Sequence, residues 1–186
     1  MILTDREIQA ALGCGHIKIE PNPSPDEAYS STSVDLTLSK FIRSWKTGPL
    51  KGVEQIICPS ADGYNLNEII KALSDLKEIN TDGYVLQPQE FVLGWTEETI
   101  ELPTTSRIAA RVEGKSSLAR LGIGIHITAP TIHAGFPGPI QLEICNHGIM
   151  KVKLVPGMRV CQLIFEQTLG TPDKGYAGQF AHQKQS

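Results

Sequence analysis

From Tyr84 to Gln167 the chain is a succession of short, alternating apolar segments cut by Pro and Gly, and this feature narrows its fold most. YVLQPQEFVLGWTEETIELP supplies two or three such segments, RIAARV another, and MKVKLV and RVCQLIFEQ complete the run. Around GIHIT, Ile123, Ile125 and Ile127 fall on one side; in IQLEICN, Ile140, Leu142 and Ile144 do the same. A period of two is the signature of a strand that buries one face. Many short strands at regular spacing predict a sandwich or closed barrel, not a parallel sheet with crossover helices.

Upstream the pattern is less regular. Thr4 and Glu7 have capping-box spacing, Ile8 and Leu12 lie one turn apart, and Gly13 is a natural stop, so the chain is expected to open with a helix. IEPNPSPDEAYSS reads as a loop. TSVDLTL sets Val34, Leu36 and Leu38 against Ser33, Asp35 and Thr37, a half-buried strand. A second helix is predicted from Leu66 to Ile79, capped by Asn65 and Glu68, with Ile69, Ile70, Leu73 and Leu76 as its apolar stripe. After Leu169 the composition turns to Gly, Gln, Lys and His, and a tail mobile without ligand is expected.

The 186 residues suit a single domain, residues 1–186, able to bury a core without staples. A net charge of -3 leaves no basic surplus for a nucleic-acid backbone, so no nucleic-acid partner is expected. No stretch reaches the length of a membrane span, and MILTDREIQAAL lacks the basic start and apolar run of a signal peptide. Cys14, Cys58, Cys145 and Cys161 are scattered, without Cys-x-x-Cys; four reduced thiols in a cytoplasmic protein are expected.

Two stretches carry candidate chemistry. RVEGKSSLARLG packs phosphate-holding donors together, but a P-loop needs Gly five positions before Gly114, where Ala109 stands, and a long helix afterwards. A short helical turn remains. Its free amides, with Lys115, Ser116 and Ser117, can hold an anion, and Arg120 lies one turn on. On this stretch alone, Ser116 as a mere cap beside a solvated Arg120 fits equally well. In PIQLEICNHG, Glu143 lies opposite the apolar face of Ile140, Leu142 and Ile144. It is either a surface carboxylate or, inside a cleft, a proton carrier.

EGKSSLARLGIGIHITAPTIHAGFPGPIQLEICNHG followed by LVPGMRVCQLIFE resembles the core of the dCTP deaminases, members of the trimeric dUTPase superfamily. LTDREI, SSTSVDLTL, LQPQEFVLGWTEE and GYAGQ extend the likeness over most of the chain, excepting roughly 45–81. The resemblance implies a distorted β-barrel or jelly roll, mainly β with a few helices, assembled as a homotrimer with sites at subunit interfaces. It also implies deamination of dCTP to dUTP and ammonia. The runner-up is a bifunctional enzyme that forms dUMP and pyrophosphate, followed by a catalytically weak nucleotide-binding relative.

By that likeness Glu143 is the general acid/base, and Ser116 and Arg120 position the water, Arg120 from a neighbouring subunit. Lys115 and Ser117 hold phosphate. Ala129, Thr131, His133 and Gln162 belong to the substrate site, and Tyr176 and Gln179 to a lid over residues 170–186. Mg²⁺ is expected on the triphosphate, and dTTP as a feedback inhibitor. No zinc is expected, because the chain lacks the His-x-Glu and Pro-Cys-x-x-Cys of the zinc deaminases. The chain departs from the pattern at TIHAGF, where His133 replaces the usual Asp. Asp only accepts hydrogen bonds, whereas neutral His donates and accepts.

Overall fold

In the computed structural model, which describes residues 1–46 and 56–176, the chain opens with helix α1, Asp5–Gly13. Glu7 accepts from the Thr4 backbone N–H at 2.9 Å and from its hydroxyl, the expected capping arrangement. Ile8 is fully buried and Leu12 packs against the core. Strand β1 (Lys18–Glu20), the one-turn helix α2 (Pro25–Ala28), β2 (Tyr29–Ser30) and the long β3 (Ser33–Trp45) come next. Helix α3 (Leu66–Leu73), β4 (Ser74–Glu78), β5 (Tyr84–Leu86), β6 (Phe91–Glu101) and β7 (Ile108–Gly114) follow. The one-turn helix α4 (Ser116–Ala119) leads to β8 (Ile123–Gly124), β9 (Thr131–Ile132), β10 (Pro137–Asn146), β11 (Val152–Leu154) and β12 (Arg159–Gln167).

A ten-stranded sheet runs β8-β10-β6-β3-β12-β7-β9, with β1 added to β6 and β2 and β4 to β3; β5 and β11 make a separate ribbon. Neighbouring strands pair antiparallel. The result is the expected class, a curled half-barrel of the dUTPase-like jelly-roll type with few helices. Strand β3 produces the curl. Its Val34–Thr37 stretch pairs with β12, and its later residues pair with β6 and β4. Leu36, Leu38, Ile42, Val92, Ile144 and Phe165 meet inside, all fully buried.

Two ladder irregularities converge at the corner. Between the pairs Pro139–Thr99 and Gln141–Trp95, β10 advances two residues while β6 advances four. Between Leu38–Thr96 and Ile42–Gly94, β3 advances four while β6 advances two. Such bulges bend a strand and leave backbone groups without ladder partners. Side chains fill the gaps. Thr96 Oγ accepts from Ile140 N–H at 2.9 Å, and Glu98 accepts from Thr37 N–H at 2.9 Å and Thr37 Oγ at 2.8 Å. Glu98 is only 4% exposed, and that burial raises its pKa against the opposing pull of the Thr37 donors.

Three expectations change. The polar face of TSVDLTL is not half-exposed: Ser33 and Asp35 are buried, because β3 runs through the middle of the curled sheet and turns its polar face onto polar partners. The predicted helix over 66–79 ends at Leu73. Asn65 caps its start, but Ser74 is extended and residues 74–78 pair with β3, whose free edge offers them ladder partners. Leu76, assigned to the helical stripe, is consequently exposed on an edge strand. Strand β8 stops at Gly124, and Ile127 is exposed because the chain bends there toward Glu143.

Candidate active site

Glu143 sits mid-strand on β10, between buried Leu142 and Ile144 and opposite Leu93 of β6. Its backbone N–H donates to Ile125 O at 2.9 Å, and its Oε2 accepts from Ile127 N–H at 2.9 Å. These two bonds tie the segment after β8 across the face of β10. Among the described residues the Ile127 bond is the one hydrogen bond of the Glu143 side chain. The carboxylate is therefore held in place with acceptor capacity to spare.

The tied segment forms one wall of a cleft of about 240 Å³. Ala129, Thr131, His133, Glu143 and Tyr176 all line it, so five of the residues named from the sequence come together. Phe136, Ile140 and Gln141 complete much of the remaining wall. Gln141 was not among the sequence-derived candidates, although its place two residues before Glu143 on the same strand face was the available signal. Tyr176 packs as a cover: its ring stacks on His133 at 5.5 Å and meets Phe136 at 6.0 Å, and its N–H donates to Ala134 O at 3.2 Å. Gln179 lies outside the described residues.

The second group stands apart from this cleft. Lys115, Ser116, Ser117 and Arg120 surround α4, the expected short turn, and none of them lines the cleft. Ser116, Ser117 and Arg120 are exposed. Lys115 is engaged within the chain: its ammonium pairs with the buried carboxylate of Asp35. Gln162 is likewise occupied, accepting from Ser33 Oγ at 3.0 Å and donating to Gly114 O at 3.4 Å. Cys161 lies beside this polar group; burial pushes its thiol pKa up, and the nearby carboxylates of Glu98 and Asp35 add to the effect. The sequence could not reveal this interior group, because Asp35 and Lys115 are brought together from distant strands. All four cysteines are free thiols.

The family model described as dCTP deaminase-like matches residues 2–168. The chain belongs to that family. This dCTP deaminase-like protein is 38% identical over 175 residues to a protein of Methanosphaera stadtmanae named dCTP deaminase, dUMP-forming, covering 94% of this chain and 83% of that one. A relative from Rhodospirillum rubrum, named dCTP deaminase, is 36% identical over 95% of this chain and 88% of its own. A crystal structure of 2′-deoxycytidine 5′-triphosphate deaminase from Agrobacterium tumefaciens superposes with a TM-score of 0.65 at 23% identity. It covers 88% of this chain, which spans only 47% of that one, and at this identity the likeness speaks for the fold.

Membership makes the chain an enzyme of the deaminase type. The relatives, not membership itself, overturn the expectation of a deaminase whose product is dUTP. Seven relatives at 35–38% identity carry the name dCTP deaminase, dUMP-forming, the reading placed second from the sequence. Among the described residues no helix is long and apolar enough to cross a membrane.

Proposed function

We propose that the protein converts dCTP to dUMP, ammonia and pyrophosphate, in a homotrimer whose sites form between neighbouring copies. The observation that carries this reading is Glu143, fixed by Ile127 in a cleft of nucleoside size beside the Ala129 backbone and covered by Tyr176. Water adds to C4 of the cytosine. Glu143 takes its proton, delivers it to the ring nitrogen, and then assists transfer to the departing ammonia. Ser116 and Arg120 of a neighbouring copy orient the water and the tetrahedral centre; their exposure beside α4 supports a role completed by assembly.

A second water then attacks the α-phosphorus, and pyrophosphate leaves. His133 lines the same cleft, and its neutral imidazole accepts at one nitrogen while donating at the other. It can therefore hold either the sugar hydroxyl or that water. Mg²⁺ would be held by the substrate's triphosphate and would screen its charge. The triphosphate oxygens supply hard ligands of the kind this ion prefers, and among the described residues no cluster of three or more His, Cys, Asp or Glu could hold a metal alone. The pyrimidine of dTTP fits the same cleft but offers no amine to displace, which makes it a competitive inhibitor. We place the enzyme in the cytoplasm, with no nucleic-acid or membrane partner.

Subunit mixing tests the composite site. Glu143→Gln and Ser116→Ala proteins, each inactive, are refolded together and assayed for dUMP release from dCTP. Random assembly gives about a quarter of the sites both intact groups, and activity returns to that level. Failure of an assembled mixture to regain activity contradicts a site shared between copies.

A further inference from the structure

We infer that Asp35 is a positioning residue: it holds Lys115, and with Gln162 it fixes the root of the turn that presents Ser116 and Arg120. Lys115 on this view is a strut rather than a phosphate ligand. The inference rests on the proposed deaminase site.

The turn cannot hold itself. Helix α4 has four residues, closed by bonds from Leu118 and Ala119 N–H to Lys115 O and from Arg120 N–H to Ser116 O. A helix this short has too few bonds to offset the cost of its nucleus, so its geometry is set by what anchors it. Two side chains do so. Gln162 on β12 lies opposite Asp35 on β3 and opposite Glu113 on β7. It bridges from Ser33 Oγ to Gly114 O, the last residue of β7. One residue later, Lys115 reaches inward to Asp35.

The burial of this pair decides between the two roles of Lys115. The Asp35 side chain is 9% exposed and that of Lys115 24%. A carboxylate this deep needs its counter-charge, and withdrawing Lys115 to a phosphate would leave Asp35 buried and unpaired. Asp35 Oδ1 already has no partner among the described residues, so Lys115 is its one cation. The pair therefore persists when nucleotide binds, and the phosphates are left to the backbone amides and hydroxyls of the turn.

The test uses the full-length protein with Asp35→Asn, Lys115→Met and the double variant. Folding is checked by thermal melting, and kcat and KM for Mg·dCTP are measured separately. A strut predicts that each single variant loses roughly tenfold or more in kcat with KM within about threefold. The double variant should lose no more than the worse single one, since the two act as one unit. A large rise in KM for Lys115→Met, with Asp35→Asn unchanged from wild type, overturns the inference and returns Lys115 to the phosphates. A readout independent of turnover separates this from failure of the deaminase reading. Amide hydrogen exchange at Leu118–Gly122 should accelerate about tenfold or more in Asp35→Asn, while β6 and β10 stay protected. Unchanged exchange in the turn overturns the strut whether or not dCTP is consumed.

Discussion

Glu143→Gln should lose deamination by about a thousandfold or more while still binding dCTP, because general acid–base groups contribute on that scale. Gln is the informative substitution. Its amide oxygen can still accept from Ile127 N–H, so the segment bearing Ala129 stays tied across β10. What is lost is the proton carrier alone. Removing the whole side chain by Ala would also release that segment and confuse the two effects. Calorimetric dCTP affinity within a few-fold of wild type, with no product over hours, is the expected pair of results. Turnover near wild type would remove Glu143 from the chemistry.

The second large effect is structural and acts at the junction between α4 and the end of β10. Gly122→Ala is expected to destabilise the fold by about 2–3 kcal/mol, combining a left-handed backbone position with a backbone clash. Gly122 has φ +87°, and a Cβ there would lie 2.4 Å from Gly148 N and 2.6 Å from Gly148 Cα. Neither contact can be relieved by a side-chain rotation. The same junction contains the bond from His147 N–H to Gly122 O at 2.7 Å. Forcing it open shifts the turn that presents Ser116 and Arg120 to a neighbouring copy's site, so activity should fall beyond what the melting curve explains. Urea unfolding and dCTP turnover together check this. A variant within about 0.5 kcal/mol of wild type would mean that the two loops part freely.

The strand run was legible because alternation survives wherever one face meets the core. β7, β10 and β12 were all visible as RIAARV, IQLEICN and RVCQLIFEQ. Glu143 was legible for the same reason, since a strand places a polar residue between two buried ones at a fixed spacing. The helix over 66–79 was misjudged because Ile69, Ile70, Leu73 and Leu76 fit a helical stripe, while the competing strand depended on an edge of β3 that no local pattern announces. Glu98 was equally hidden. WTEETIE holds three glutamates, and only the bulged register decides which one fills the gap at Thr37. The ion pair of Lys115 was hidden too, because its partner, Asp35, comes from a strand far away in sequence. Chemistry carried by one strand face was readable; chemistry assembled across strands was not.

The most direct measurement incubates wild-type protein with dCTP and Mg²⁺ and resolves the nucleotides by chromatography over time. dUMP and pyrophosphate should rise together as dCTP falls, with no accumulated dUTP. dUTP as the end product, or dCTP left unchanged, would contradict the proposed reaction.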